Sequence, residues 1–316
     1  MERDRFDRAV ELLESLTDQG GQPLKVFSLV VSEPGRVRSH DFGHDPHTTH
    51  NIRSISKVVT ALTVDLARAA GLRAGGHLIG PDLPVWEALR DFGLVDDRVD
   101  PRWKEVRLWH LLSGTTGHQE GFFFRGDIAG LDPADYFPYI FDRPLEHLPG
   151  QHFSYSNVGT FLASVILQEA SGRSVGQWAE QGFLSPIGVT GQDWAKLGPY
   201  DAGCTGLRLT GADLNRLGRL VLDEGSWQGR PLISADWIRR MRQPVVPTTD
   251  LYDPNDPIPR QAYGLTLWRT GGEIYYCYGT DGQFMVIVPS RQRVIATLAD
   301  QVDMLPVQRG LAPLLD

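Results

Sequence analysis

The sequence predicts an α/β fold of the α+β type, in which one antiparallel sheet lies beside a mainly helical lobe. Runs of β-branched and aromatic residues bounded by turn residues are concentrated near the two ends of the 316-residue chain, which is the pattern of strands. The long segment between them shows apolar spacing typical of helices. We therefore expect residues 1–70 and 245–316 to form the sheet lobe and residues 71–244 the helical lobe, in one compact unit with a cleft between the lobes.

The individual elements follow from the same patterns. The charged N-terminus leads into an amphipathic helix, and residues 25–31 form a buried strand followed by a Pro-Gly turn. A helix is expected from Ser54 to about Ala70, and helical spacing recurs over residues 162–167 and 214–222. Four consecutive antiparallel strands with glycine-rich turns are expected near the C-terminus, over residues 263–268, 273–278, 284–288 and 293–298.

Composition argues against several classes of protein. The 31 basic and 39 acidic residues give a net charge of −8, which does not suggest a nucleic-acid-binding surface. No apolar stretch approaches the roughly 18 residues of a membrane span. The N-terminal residues are charged and lack the apolar core of a secretory signal, and two cysteines cannot form a disulfide framework. We therefore expect a cytoplasmic protein with no nucleic-acid or membrane partner; the oligomeric state stays open.

The lysines of the chain point to a catalytic serine. Only four of the 31 basic residues are lysines, and one of them, Lys57, follows Ser54 by three residues at the start of a helical pattern. Residues three apart lie on the same face of a helix, so the amine can reach the hydroxyl. A partly desolvated lysine can give up its proton near neutral pH, whereas arginine cannot. The pair is typical of an activated serine nucleophile, although a capped, solvated helix start would read the same way.

Further motifs occur in a fixed order along the chain. A turn before a helix carries Tyr155 and Asn157, spaced Tyr-x-Asn, and three glycine-containing motifs span residues 111–117, 203–214 and 279–284. Taken with the serine and lysine, these motifs resemble the class C β-lactamase-like serine hydrolase family, over about residues 26–300. That family includes penicillin-recognising peptidases, esterases, D-aminopeptidases and oligoamide hydrolases. The resemblance implies a β-lactamase-like fold with the active site in the cleft between the lobes.

The resemblance and the chemistry of the side chains imply the same roles. Ser54 is expected to be the acylated nucleophile, with Lys57 sharing its proton. Tyr155 is expected to be the partner acid/base, as a phenolate-like acceptor stabilised by the lysine. Asn157 would orient the lysine or bind a substrate amide, and it is also a candidate N-cap of its helix. The backbone amides of Ser54 and Thr280 would form the oxyanion hole.

The third motif departs from the family. Penicillin-recognising members carry Lys-Thr-Gly or His-x-Gly there, whereas this chain has Cys277, Tyr278 and Gly279 and no cation. Hydrolysis of β-lactams is therefore not expected. Tyr278, Gly279 and Asp281 are expected to contact substrate, as are Phe123 and Phe124. The two phenylalanines belong to an aromatic run that would form an acyl pocket or lid, with packing inside the helical lobe as the alternative.

The chain also contains four histidines between His40 and His50, and their spacing could suggest a zinc site. A polar loop ahead of the nucleophile is the favoured interpretation, so we expect neither a metal nor another cofactor. The predicted function is a serine-dependent hydrolase of a small-molecule ester or amide. A transacylase in small-molecule biosynthesis is the first alternative. A non-catalytic binding protein on the same fold and a metallohydrolase that uses the histidine loop are further alternatives.

Overall fold

The computed structural model describes residues 4–248, 251, 253 and 255–316. Within these residues the α-helices are α1 Arg5–Ser15, α2 Ser56–Ala69, α3 Val85–Asp91, α4 Leu108–Ser113, α5 Tyr136–Phe141, α6 Val158–Ser171, α7 Val175–Ala179, α8 Gly211–Leu222, α9 Ala235–Arg242 and α10 Leu305–Leu311. The strands are β1 Val26–Glu33, β2 Arg36–His40, β3 His50–Asn51, β4 Arg73–Ala74, β5 His77–Leu78, β6 Asp193–Trp194, β7 Lys196–Leu197, β8 Tyr200–Asp201, β9 Leu207–Leu209, β10 Ser226–Trp227, β11 Arg230–Pro231, β12 Val246–Pro247, β13 Ala262–Tyr263, β14 Trp268–Arg269, β15 Tyr275–Gly279, β16 Gln283–Val288 and β17 Arg293–Ala299. Within the described ranges, none of the helices combines the length and the apolarity needed to cross a bilayer.

Both ends of the chain contribute to one antiparallel sheet of eight strands, in the order β12-β13-β14-β15-β16-β17-β1-β2. The first long strand, β1, lies between β17 and β2, so that Ser32 pairs with Val294 on one side and with Val37 on the other. This confirms the predicted sheet of N-terminal and C-terminal strands. Three of the predicted C-terminal strands correspond to β15, β16 and β17, with ends shifted by one or two residues.

Two local predictions differ from the structure. The run over residues 263–268 is not one strand but a hairpin between β13 and β14, so that prediction is wrong. The chain reverses there because Thr266 adopts a left-handed φ of 64° and the Gly264 amide donates to the Leu267 carbonyl over 2.8 Å. In addition, the residues after the Pro-Gly turn form β2, so His40, the first histidine of the predicted polar loop, lies in a strand.

The sheet is buried on both faces, because alternate residues of its central strands enter different cores. In β17, Val294 and Ala296 pack toward helices α2, α6 and α8, whereas Ile295 packs toward α1 and α10. Helix α1 is capped by Asp4, whose carboxylate accepts from the Phe6 amide over 3.0 Å, and it buries Phe6 against the sheet. The molecule therefore has three layers, with the central sheet between the two terminal helices and the helical lobe.

Helix α2 is the central helix of the helical lobe, since its neighbours are α6, α7 and α9. Helix α8, in contrast, lies on the sheet although it falls within residues 71–244. Its Asn215 donates from Nδ2 to the carbonyls of Val30 and Val294, each over 3.1 Å. Gly218 allows this close approach, because a Cβ there would lie 2.4 Å from the Val294 side chain. The predicted lobe boundaries stay a prediction: α8, inside residues 71–244, packs on the sheet, whereas α2, inside residues 1–70, packs among helices.

Candidate active site

Ser54 lies in a short 3₁₀ turn, Arg53–Ile55, that leads directly into α2. The turn is held by its neighbours: the Arg53 amide donates to Asn51 Oδ1 over 2.8 Å, and Ser56 Oγ donates to the Arg53 carbonyl over 2.7 Å. The Ser54 side chain stays partly exposed. At the start of a helix the macrodipole favours negative charge, and the first amides find no partner inside the helix. The position therefore offers an accessible hydroxyl beside an amide that the helix leaves unpaired.

Lys57 lies one turn further on the same face of the helix, and its side chain is buried. Its Nζ is 3.3 Å from Ser54 Oγ, and it also donates to Asn157 Oδ1 over 2.5 Å and to the Cys204 carbonyl over 3.0 Å. Burial lowers the pKa of Lys57 to about 8, with only a small opposing effect of Cys204. The amine can therefore exist in its neutral form close to neutral pH.

The contacts of Lys57 also fix the direction of its lone pair. The oxygens of Asn157 and Cys204 can only accept hydrogen bonds. A neutral amine would therefore keep its two N–H groups on these oxygens and direct its lone pair to the remaining neighbour, Ser54 Oγ. This is the arrangement that a general base for the serine requires.

Tyr155 is held in the loop before α6 by other aromatic rings. Its ring stacks on Trp268 with 5.6 Å between centroids and meets Tyr263 edge-on at 5.9 Å. Lys57 Nζ lies over the face of the Tyr155 ring, 5.1 Å from its centre. Burial raises the pKa of the Tyr155 phenol, and a hydrogen bond with Ser54 lowers it by less. Burial outweighs the hydrogen bond and favours the protonated phenol at rest, so the phenolate-like role of Tyr155 stays a prediction.

Asn157 contacts the lysine, as its predicted orienting role requires, and the role itself stays a prediction. Its Oδ1 accepts from Lys57, and its side chain makes no capping hydrogen bond although it occupies the N-cap position of α6. Its backbone amide donates to the Phe122 carbonyl over 3.2 Å. This bond joins the loop that carries Tyr155, called the tyrosine loop, to the aromatic run that contains Phe123 and Phe124. Gly114 supports the same loop from the end of α4, since its carbonyl accepts from the Ser154 amide over 2.8 Å.

The carbonyl of Cys204 is a functional group that sequence reasoning missed. Gly203, with a left-handed φ of 67°, turns the chain so that this carbonyl faces Lys57. The Gly203 carbonyl in turn accepts from Thr60 Oγ1 over 2.7 Å, which fastens the loop to α2. The glycine-containing motif over residues 203–214 was the available signal, but a backbone oxygen has no side-chain signature. The cysteine thiol itself stays protonated, because burial raises the pKa of Cys204.

The turn between β15 and β16, residues 280–282, lies close to Ser54. It is called the oxyanion turn below, after the role predicted for the Thr280 amide. Gly279 precedes it, and a Cβ at this glycine would lie 2.5 Å from Arg53 Cβ and 3.1 Å from the Ser54 nitrogen. The exposed Thr280 is therefore next to the start of α2, where its predicted partner amide lies. Asp281 Oδ2 is 2.7 Å from the Arg53 guanidinium, so its carboxylate is already engaged by an ion pair.

Tyr278 is partly exposed, with its ring 5.9 Å from that of Trp268. Its hydroxyl lies 3.5 Å from Nη1 of Arg260. This arginine is a second group that the sequence analysis missed, because it is 18 residues away in the chain and belongs to none of the motifs. Cys277, in the place of the family's cation, is buried, and burial raises the pKa of its thiol.

The two phenylalanines predicted to contact substrate lie in different environments. Phe123 is fully buried and packs against Tyr136 and Phe161 in the core of the helical lobe, so the prediction for Phe123 is wrong. The left-handed φ of 67° at this residue turns its side chain into that core. Phe124 is 38% exposed, and its ring neighbours Gly121, whose Cα closely approaches the Tyr155 carbonyl.

The histidines of the 40–50 segment engage separate partners. His40 Nε2 lies 3.1 Å from Glu14 Oε1, whereas the rings of His44 and His50 contact Phe27. Among the described residues, no group of three or more His, Cys, Asp or Glu side chains is arranged to hold a metal ion.

Known proteins resemble this chain over almost its whole length. The family model described as Beta-lactamase matches residues 14–315. A penicillin-binding protein homologue from Caulobacter crescentus has a similar structure, with a TM-score of 0.71 and 17% sequence identity, over 99% of this chain and 96% of that chain.

Two further solved structures show the same likeness. A D-stereospecific amidohydrolase from Streptomyces sp. gives a TM-score of 0.67 at 16% identity, over 95% of this chain and 96% of that chain. The octameric penicillin-binding protein homologue from Pyrococcus abyssi gives 0.69 at 20% identity, over 98% and 75%. At these identities the structures establish the fold, which confirms the predicted β-lactamase-like architecture. Since the family model extends over nearly every residue, the chain belongs to the beta-lactamase family.

Proposed function

We propose that the protein is a serine hydrolase that cleaves a small-molecule ester or amide through an acyl-enzyme on Ser54. The observation that carries the proposal is the position of Lys57 Nζ, 3.3 Å from Ser54 Oγ. Burial brings the pKa of this amine to about 8, and its other two contacts are acceptors. A lysine in this state can take a proton from the serine hydroxyl, which activates the oxygen as a nucleophile.

Acylation would pass a proton from Ser54 to the leaving group by way of Lys57 and Tyr155. Ser54 Oγ bonds to the carbonyl carbon of the substrate while its proton passes to the Lys57 amine. The carbonyl oxygen takes up the negative charge beside the amides of Ser54 and Thr280. The bond to the leaving group then breaks, and that group takes the proton of the Tyr155 phenol, which regains one from Lys57. The leaving alcohol or amine departs with the serine proton, and the acyl group stays on Ser54.

Deacylation repeats these steps with water. The water oxygen bonds to the acyl carbon while the neutral Lys57 amine accepts its proton. Ser54 Oγ then leaves and takes the proton back, which releases a carboxylic acid. The protonated resting state of Tyr155 suits its role in acylation, because a phenol must carry a proton before it can donate one to the leaving group.

The substrate is proposed to lack the features of penicillins. At position 277 the family's cation is replaced by a cysteine whose raised pKa keeps the thiol neutral, so it cannot pair with a substrate carboxylate. The likeness to the D-stereospecific amidohydrolase from Streptomyces sp. supports an amide, and activated esters should react at the same serine. The cytoplasmic location stays a prediction from the sequence.

Intact-protein mass spectrometry tests the proposal. Wild type, Ser54→Ala and a control with an exposed serine removed, Ser15→Ala, are treated with a fluorophosphonate and with p-nitrophenyl acetate. We expect one adduct on wild type and on the control, and none on Ser54→Ala, which should keep the wild-type circular dichroism spectrum. An unlabelled wild type would instead favour a non-catalytic binding protein. Faster release of the acyl adduct by added alcohols or amines would identify a transacylase.

A further inference from the structure

An ion pair joins the two segments that supply the oxyanion-hole amides. Arg53 immediately precedes Ser54, and Asp281 immediately follows Thr280. Their side chains meet over 2.7 Å, with the arginine 31% and the aspartate 22% exposed. The pair therefore lies at the edge of the site and spans the same gap as the two amides.

Both residues have a left-handed backbone conformation that residues other than glycine rarely adopt. Arg53 has φ 52° and Asp281 has φ 69°. Such conformations persist where the surrounding structure determines them, and they are concentrated at functional sites. In this molecule they occur where the two segments approach each other, since Gly279 lies against Arg53 Cβ.

Each end of the pair is also anchored within its own segment. The Arg53 amide is held by Asn51, as described above, whereas the Asp281 carbonyl accepts from the Gln301 amide over 2.9 Å and from Gln283 Nε2 over 3.0 Å. The ion pair links the two anchored segments, so it would oppose any displacement that changes the separation of the Ser54 and Thr280 amides.

We propose that Arg53 and Asp281 are positioning residues, whose ion pair sets the spacing of the Ser54 and Thr280 amides. The proposal rests on the proposed serine hydrolase function. It also assigns Asp281 a role other than the predicted contact with substrate. A partly exposed pair contributes little to stability, but small displacements of oxyanion donors lower the catalytic rate strongly. Removal of the pair should therefore affect turnover far more than folding.

The test compares Asp281→Asn, Arg53→Gln and the double variant with wild type, using p-nitrophenyl acetate. Each single variant should lower kcat at least about tenfold and leave KM within about twofold, because the lost interaction acts in the transition state. The double variant should be no worse than the poorer single variant, since either change removes the same contact. Asp223→Asn is the matched control, because it breaks a similarly exposed 2.9 Å ion pair with Arg219 away from the site and should keep wild-type kcat.

A second readout separates positioning from a general loss of structure. The thiono analogue of the ester carries sulfur where the oxyanion would form, and sulfur is larger and a weaker hydrogen-bond acceptor. The preference of wild type for the oxygen ester should fall in the variants by about the factor lost in kcat. An unchanged preference, unchanged kcat in both single variants, or additive losses in the double variant would overturn the proposal.

Fluorophosphonate labelling of wild type distinguishes the failure of this proposal from the failure of the proposed function. If wild type is labelled at Ser54 while both single variants keep full kcat, the ion pair has no positioning role and the hydrolase function stands. If wild type is neither labelled nor active on the ester, both proposals fall. Should Asp281→Asn not fold, Arg53→Gln carries the same test.

Discussion

At the scale of single residues, the chemistry of Lys57 comes from where the helix places it. The amine has no carboxylate among its three hydrogen-bond partners, which are a hydroxyl, an amide oxygen and a backbone carbonyl. Burial without a negative partner lowers the pKa of a lysine, whereas an ion pair would raise it. The neutral acceptors thus satisfy the N–H groups without stabilising the charge.

The pH dependence of the reaction should report this lysine. The neutral amine is the reactive form, so kcat/KM for p-nitrophenyl acetate should rise with pH along a limb with an apparent pKa of about 8. Initial rates between pH 6 and pH 9.5 would show it. A flat profile across about pH 8 would contradict the assignment of Lys57 as the base.

Lys57→Arg distinguishes a lysine that accepts a proton from one that acts only through its positive charge. Arginine keeps the positive charge but cannot give up its proton, so activity should fall nearly as far as in Ser54→Ala. The comparison needs both variants at equal folded concentration, checked by circular dichroism. If Lys57→Arg keeps turnover, the lysine only anchors the site electrostatically.

At the scale of elements, the sequence predicted the strands and helices that have strong periodicity. The patterns at β1, β15, β16 and β17 were sufficient, because each strand alternates between two apolar cores. The reversal at Thr266 escaped prediction, since its left-handed φ is imposed by neighbouring strands and not by the residue type.

In the candidate site, likewise, some groups could be predicted from the sequence and others could not. Ser54, Lys57, Tyr155 and Asn157 were predicted because their side chains carry the chemistry and their spacing is fixed by helices. The Cys204 carbonyl and the Arg53–Asp281 ion pair were not, because they depend on which loops meet in the folded molecule. Phe123 was predicted wrongly because an aromatic run does not reveal which of its rings faces the lobe core.

Gly279→Ala tests the close approach of β15 to the start of α2. The new Cβ would lie 2.5 Å from Arg53 Cβ and 2.6 Å from the Ile52 carbonyl oxygen, so the two segments must separate. A displacement of this kind should lower kcat about 100-fold. Gly272→Ala is the matched control, because a Cβ there meets no atom within 4 Å. Equal kcat in both variants would contradict the proposed position of the oxyanion hole.

At the scale of the whole molecule, the site is assembled from segments that are far apart in the chain. The nucleophile and base start α2, the tyrosine loop precedes α6, and the oxyanion turn follows β15. Helix α8 belongs to the helical middle of the sequence but packs on strands β1, β16 and β17 of the sheet. Its buried Asn215 hydrogen-bonds to two different strands and so fastens the helix to them.

Asn215→Ala should therefore reduce stability without affecting chemistry. Loss of the side-chain donor removes two hydrogen bonds inside the core, which should lower the free energy of unfolding by about 2 kcal/mol. Urea unfolding of wild type, Asn215→Ala and Ala212→Ser, a change on the exposed side of the same helix, would measure it. The kcat of the folded variant should stay at the wild-type value. Wild-type stability in Asn215→Ala would show that apolar packing alone holds α8.

The pairing of β1 with β17 has a consequence for how the protein is made. Val26 lies opposite Ala299, so the first long strand gains its inner partner only after the whole segment between these two residues has been translated. The oxyanion turn also emerges late, after α2 and α6 have left the ribosome. Domains that depend on such distant pairings complete their fold slowly. Catalytic activity should thus appear only after β17 has been synthesised, and its onset would time the maturation of the newly made protein.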